Sequence, residues 1–447
     1  MTLATIVFSV LGGPVEAAEN WLGPNEVCSP DTLLGDLSQV RSTLAAHGVG
    51  VGLQEQSELW GNLAGGIKQG AAYDGLTTAS LCIDLDKAAN WKGATIFASG
   101  YQIHGQGPER LVGALQLVSG IEATPSTKLY DLWFEQKLFD GKFSLRFGQE
   151  GANDELMLAS YASLFLNSSF GYPPLMAIDL PSGGPNYPLA SPFFRRLFAP
   201  TQEITLLGAV YTEDPAPPGT GDPQLLDRHG TAFRLNDHAL SFAELWYSPA
   251  FLANQGLPGT FKLGTWIATG PFADPLHDEQ GLSLANPASS GNPLLHSPDY
   301  AIYAVANQML WHKPNTEAQG VGVFLQFMRA PDDRNISDLF IAGGVVWKGP
   351  LPGRSHDQLG LAVTYAGIGA QARRFSRDVV LYSGSSTPYA QGEPIIEVTY
   401  RFRLTPWFKV QPDLQYVFNP GAGIPTEQSA GPLKNALVVG ARVTINF

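Results

Sequence analysis

Charged, amide and aromatic side chains recur at every second position in several short stretches. In "LYDLWFEQKL" these are Asp131, Trp133, Glu135 and Lys137, and "KFSLRFGQE" adds Arg146 and Glu150. Glu244 and Trp246 share a face in "SFAELWYS", and Arg195 and Arg196 stand side by side in "PFFRRLF". Towards the carboxy terminus come Glu397, Arg401 and Arg403, then Lys409, Gln411, Asp413 and Gln415, and finally Arg442. Groups of this kind form hydrogen bonds, pair their charges and stack on flat apolar surfaces. Nothing is arranged to break a bond. The eight histidines lack the HExxH spacing of a zinc site, "SGSSTP" lacks the second glycine of a GxSxG elbow, and no P-loop or GxGxxG is present. Asp332 and Asp333 sit in a turn-like segment that suits solvated carboxylates better than an acid–base pair. No metal, cofactor or catalytic group is therefore expected. A net charge of −13 argues against nucleic acid as a partner.

Period-two spacing is the signature of a strand, whose successive side chains point to opposite faces. Residues 394–420 show both faces. Val398, Tyr400, Phe402 and Leu404 oppose Glu397, Thr399, Arg401 and Arg403; after "TPW", Phe408, Val410, Leu414, Tyr416 and Phe418 oppose Lys409, Gln411, Asp413, Gln415 and Asn419. Similar runs occupy 81–86, 142–150, 320–329 and 358–367. Small and polar residues recur on the stripe opposite the bulky one, where a soluble core would want large apolar groups. The bulky stripe must then face an apolar exterior. A generous count reaches about sixteen runs, which fits one transmembrane barrel, with those near 204–213 and 230–236 the weakest.

Composition agrees. Charged residues make up 15% of the chain, against ~25% in typical soluble domains, yet the mean hydropathy is only −0.02. No apolar run of about 20 residues exists beyond the N-terminus, which excludes a helical membrane protein. A bilayer cannot satisfy an open sheet edge, so spanning strands must close. A soluble exported sandwich also alternates, but would carry a wet face rich in Lys and Glu.

The expected fold is all-β: a transmembrane antiparallel β-barrel of about sixteen strands, with a short N-terminal helical segment and an inward-folded constriction loop. Residues 1–17 read as a signal peptide, apolar from Leu3 to Leu11 and ending at Val15-Glu16-Ala17, although its basic start is missing. Residues 18–56 read as a periplasmic or plug segment. Its helix is capped by Asp31, carries Leu33, Leu37, Val40 and Leu44 on one face and stops at Gly48. The barrel is expected over 57–447. In an exported chain Cys28 and Cys82 would be bridged, tying this segment to an early strand; two free buried thiols are the alternative. Residues 153–200 are too apolar for a linker and too long for a turn, so they are expected to fold inward, carrying Arg195 and Arg196 into the lumen. Residues 271–299, rich in Pro, Ser, Gly and Asn, read as an extracellular loop.

Several segments resemble the carbohydrate-selective porin family of the OprB type. They are "LLGDLSQVRSTLAAHGV", "GNLAGGIKQGAAYDG", "LDKAANWKGATIFASGYQIHG", "LYDLWFEQKLFDGKFSLRFGQ", "HALSFAELWYSP" and "PWFKVQPDLQYVFNPG". The resemblance implies a sixteen-stranded barrel in the bacterial outer membrane that passes sugars by diffusion and performs no catalysis. A sugar offers many hydroxyls and weakly apolar ring faces, which the alternating polar and aromatic residues above would meet. The plainer role for each of them is to solvate a wet interior and pair across strands. A general, non-selective porin and an outer-membrane barrel enzyme remain the alternatives. The final run "NALVVGARVTINF" ends on Phe447 and resembles the terminal strand that barrel-assembly machinery recognises. Membrane lipid, lipopolysaccharide and neutral sugars complete the expected partners.

Overall fold

The computed structural model describes residues 32–314, 316, 319–384, 391–423 and 432–447. Its strands are β1 Val49–Gly66, β2 Gly70–Asp84, β3 Ala94–Gln106, β4 Ser126–Leu138, β5 Phe143–Glu150, β6 Ser191–Phe198, β7 Ile204–Thr212, β8 Ala239–Tyr247 and β9 Gly259–Ala268. There follow β10 Phe272–Asp278, β11 Pro293–His296, β12 Asp299–His312, β13 Gly320–Arg329, β14 Ser337–Lys348, β15 Gln358–Ile368, β16 Glu393–Thr405, β17 Phe408–Val417 and β18 Lys434–Asn446. All except β10 and β11, which form a separate hairpin within a loop, pair in antiparallel order into a closed barrel of sixteen strands. β1 closes it by pairing β2 on one side and β18 on the other, so that Glu58 lies opposite both Asp74 and Arg442.

The alternation in the sequence is the reason. On β16, Glu393, Ile395, Glu397, Thr399 and Arg401 are buried inside while Val398 and Leu404 are exposed outside. Leu59, Phe147, Phe194, Leu263, Ile302, Leu325, Leu361 and Leu414 continue the exposed apolar surface around the wall. Tyr400 packs on Phe402 at the turn end of the β16–β17 hairpin and Tyr416 on Phe418 at its loop end. These are the places where amphipathic rings suit a membrane interface. Connections alternate in length. One end has short turns such as 139–142, 199–203 and 406–407, and the other has long loops, among them 107–125, 151–190 and 269–298.

Several expectations are corrected. β1 begins at Val49, inside the segment expected to precede the wall at 57, and its buried Gln54 and Gln56 already belong to the inner stripe. The N-terminal helix spans only Val40–Ala46, because Leu37, Ser38 and Gln39 before it adopt positive φ. It latches to the end of the chain: Arg41 donates to the Phe447 carbonyl and Leu33 N–H to that of Asn446. Of the two weak runs, 204–213 forms β7, whereas 230–236 stays in a loop. Arg195 and Arg196 lie on β6, not in the inward loop. The signal sequence, Asp31 and Cys28 lie outside the described residues, and the Cys28–Cys82 bridge with them.

Candidate functional site

The lumen is built around loop L3, residues 151–190. Asn167 accepts the Ser169 amide and starts one tight turn, and Pro174 at the first helical position starts the short helix Pro174–Asp179. L3 is apolar because it carries a core into the barrel. Leu156, Phe165, Phe170, Leu175 and Met176 are at most 2% exposed and pack in one cluster with inward-facing Phe97, Phe242, Trp266, Phe324 and Phe340.

Backbone groups of a buried loop need partners, and the inner wall supplies them. Glu397 accepts the amides of Leu166 and Asn167 at 2.6 and 3.1 Å. Glu244 accepts the Met157 amide at 2.8 Å. Gln411 donates to the Leu164 carbonyl at 2.7 Å, Asn167 donates to the Gln415 side chain at 3.0 Å, and Gln415 donates to Asp413 at 3.1 Å. Loop L2, residues 107–125, is held in the same way: the Glu393 carboxylate accepts the Leu115 and Gln116 amides, both at 2.9 Å. Within L2, Glu122 accepts the Glu109 amide, and burial pushes its carboxyl up to about 8 despite that hydrogen bond.

The wall of β4–β6 is different. Here Arg195 bonds Glu155 of L3 at 2.7 Å and Glu135 at 3.0 Å, and also donates to Ser144. Arg146 lies 3.2 Å from Glu150 and 3.8 Å from Glu155, with its guanidinium 4.2 Å above the Trp133 ring. Trp133 in turn stacks on Phe97. Asp131 sits beside a register shift in β4 and accepts from Ser99. Lys137, at the turn end, is the exposed member, 4.0 Å from Glu135. Asp131, Trp133, Glu135, Lys137, Arg146, Glu150 and Arg195 therefore come together as one cluster.

Other expected residues form separate groups. Glu244 accepts from Trp246 and from Tyr303, and Lys262 stands 4.4 Å from the Trp246 ring. Arg442 pairs with Glu58, which also accepts from Trp60 at 2.7 Å. Arg401, Arg403 and Lys409 lie at the turn end, where the register sets Arg403 against Lys409 rather than against an acid. Arg196 is overturned as a lumen residue. On β6 it follows buried Arg195, so the strand period points it outward among Phe194 and Phe198, where it is exposed.

Sequence reasoning passed over Glu58, Trp60, Glu155, Lys262 and Tyr303. Glu58 and Trp60 were findable, since "QEQSELW" alternates as well as any strand. Glu155 carries no local signal, because only the path of L3 brings it to Arg195.

The sequence pattern of the family described as "Carbohydrate-selective porin, OprB family" matches residues 68–447. The chain belongs to the carbohydrate-selective porin family. It is thus an outer-membrane carbohydrate channel rather than an enzyme, with membrane lipid around it. Porin B of Pseudomonas aeruginosa is 26% identical over 461 residues, covering 98% of this chain and 95% of that protein. The high-pH structure of Pseudomonas putida OprB superposes with a TM-score of 0.82 at 22% identity, over 94% of this chain and 99% of that one. The low-pH structure of the same protein gives 0.56 at 18% identity, over 93% and 98%. At these identities the structural likeness speaks for the porin fold.

Proposed function

We propose that neutral mono- and small oligosaccharides diffuse through the lumen past the polar edge of L3. Their hydroxyls meet the exposed edges of Arg146, Glu155 and Lys137, whose charges are paired, and their ring faces pass the half-buried Trp246. The observation that carries this reading is the charge pairing. Glu135, Lys137, Arg146, Glu150, Glu155 and Arg195 each have an opposite charge within 4.0 Å, so the wall offers hydrogen bonds without a strong field of one sign. Asp131 and Asp413 sit deeper, bonded to Ser99 and Gln415, and steady the wall. Arg401, Arg403, Lys409 and Lys137 stand at the turn ends of their strands, and the buried Arg442–Glu58 pair lies beside β17 on β18 and β1. The apolar outward stripe of β18 and its terminal Phe447 support recognition by barrel-assembly machinery; replacing Phe447 with Ala should lower the amount of folded protein in the membrane. Liposome swelling with protein purified in detergent tests the main reading. Glucose should enter faster than a singly charged solute of equal size, and equal rates would reduce the assignment to a general porin.

A further inference from the structure

A cavity of about 150 Å³, partly open to solvent, lies where L2, L3 and the inner faces of β2, β3 and β4 meet. It is separate from the arginine–glutamate cluster: none of its lining residues is a lysine, arginine or histidine. One side is a tyrosine stack. Tyr101 and Tyr130 lie 4.5 Å apart and Tyr187 leans over both at 5.8 and 6.3 Å. Tyr187 is fixed there by donating its hydroxyl to the Ile121 carbonyl at 2.7 Å. The facing side, from L3, is apolar through Leu158, Phe165 and Phe170. Polar groups stand at the margin. Asn186 lines the cavity, and Asn153 accepts from Tyr130 through Oδ1, which leaves its amide nitrogen for a guest. Tyr172 also lines the cavity, and its buried hydroxyl has no hydrogen-bond partner.

An apolar slot with a few convergent amides and hydroxyls is the usual form of a small-molecule site. At about 30 Å³ of liquid per water this volume takes about five waters, and it is of the size that holds one six-membered ring, with hydroxyls reaching its open side. The lining holds two carboxyl groups, Glu122 and Asp154, and no cation, so the charge of a phosphorylated or carboxylated solute would be stripped of water there with nothing to offset it.

We propose that this cavity is a holding subsite for a single neutral pyranose ring, seated between the tyrosine stack and L3; the proposal rests on the carbohydrate-channel reading. The subsite takes one ring. A disaccharide therefore gains nothing over a monosaccharide, and glucose 6-phosphate is refused.

Two substitutions test it with little risk to the fold. Gly171 lines the cavity with an ordinary backbone φ of −96°, and a Cβ there would meet only the Ser168 carbonyl, at 3.7 Å. Gly171→Leu should therefore fill the cavity from L3. Asn186→Ala removes one amide. The measurement is glucose-induced current fluctuation in planar bilayers containing the full-length channel, read as the half-saturating glucose concentration. The wild-type channel should saturate with glucose, no more tightly with maltose, and not with glucose 6-phosphate. Gly171→Leu should raise the half-saturating concentration about tenfold or abolish saturation, and Asn186→Ala should raise it about threefold. Wild-type values in both variants would overturn the subsite, and so would glucose flux through the wild type without saturation, the channel reading then standing. No glucose entry through the wild type in liposome swelling would overturn the channel reading itself. Should Gly171→Leu fail to fold, Asn186→Ala decides alone.

Discussion

The inner faces of β4–β6 and of β16–β17 are alike in sequence and unlike in use. Both carry alternating carboxylates, amides and bases. On β4–β6 the charges meet other charges: Arg195 is 2% exposed and lies between Glu135 and Glu155. On β16–β17 they meet backbone, with Glu397 and Gln411 bonded to the main chain of L3 and Glu393 to that of L2. The difference comes from what lies opposite. L3 brings a carboxylate, Glu155, to the first wall and turning main chain with orphan amides to the second. A polar stripe on a barrel strand thus specifies capacity for hydrogen bonding, and the loop decides whether that capacity grips a loop or faces a solute.

Removing Arg195 should have the largest effect. Arg195→Ala would leave Glu135 and Glu155 partly unpaired in a buried site, a loss of about 3–5 kcal/mol by analogy with broken buried ion pairs. Thermal unfolding in detergent would measure it, and a wild-type midpoint would show that the β4–β6 network is not structural. Glu397→Ala should come next. It orphans two buried amides at about 1–3 kcal/mol each and frees the middle of L3. Single-channel conductance should then rise by about twofold or more as the constriction loosens; an unchanged value would mean that the clamp is redundant.

A smaller effect concerns pH. The Glu122 carboxyl is pushed up to about 8 by burial, with Asp74 and Glu58 adding repulsion and Arg110 opposing it. Its folded value lies above the unfolded ~4.3, so its contribution to L2 docking is full in acid and is lost as pH rises through 8. Hydrogen-exchange protection in L2, taken relative to the intrinsic exchange rate at each pH, should therefore fall between about pH 5 and pH 8, and Glu122→Gln should flatten that slope. The smallest change is expected from Lys137→Gln. That cation is more than half exposed, and its 4.0 Å contact with Glu135 should be worth under about 1 kcal/mol. Its effect should appear instead as a small shift in cation-over-anion preference, read as a reversal potential. A large loss of stability would place Lys137 within the buried network.

Some of the site was legible from residue order. Glu397, Gln411, Asp413, Gln415 and Arg442 were assigned inward from parity alone, and all face inward. Asp131, Trp133 and Glu135 likewise kept their shared face despite the register shift beside Asp131. Arg196 failed because residues 191–198 were read as loop, where parity has no meaning; as strand β6 it must point away from Arg195. Glu155, Tyr101 and Tyr187 could not be assembled in advance, since they come from L3 and β3 and meet only through the fold.

By itself the sequence determined, along the strands it revealed, which residues face lipid and which face the lumen, and that those strands must close. These follow from a two-residue period and from the absence of water in a bilayer, both of which act locally. Only the tertiary structure decided what each lumen residue does. L3 crosses the interior at a depth and angle set by the packing of Phe165, Phe170 and Met176 against distant strands, and that placement separates the ion network, the backbone clamps and the tyrosine-lined cavity. Contacts between residues far apart in the chain depend on loop path and side-chain volume, which no spacing pattern records.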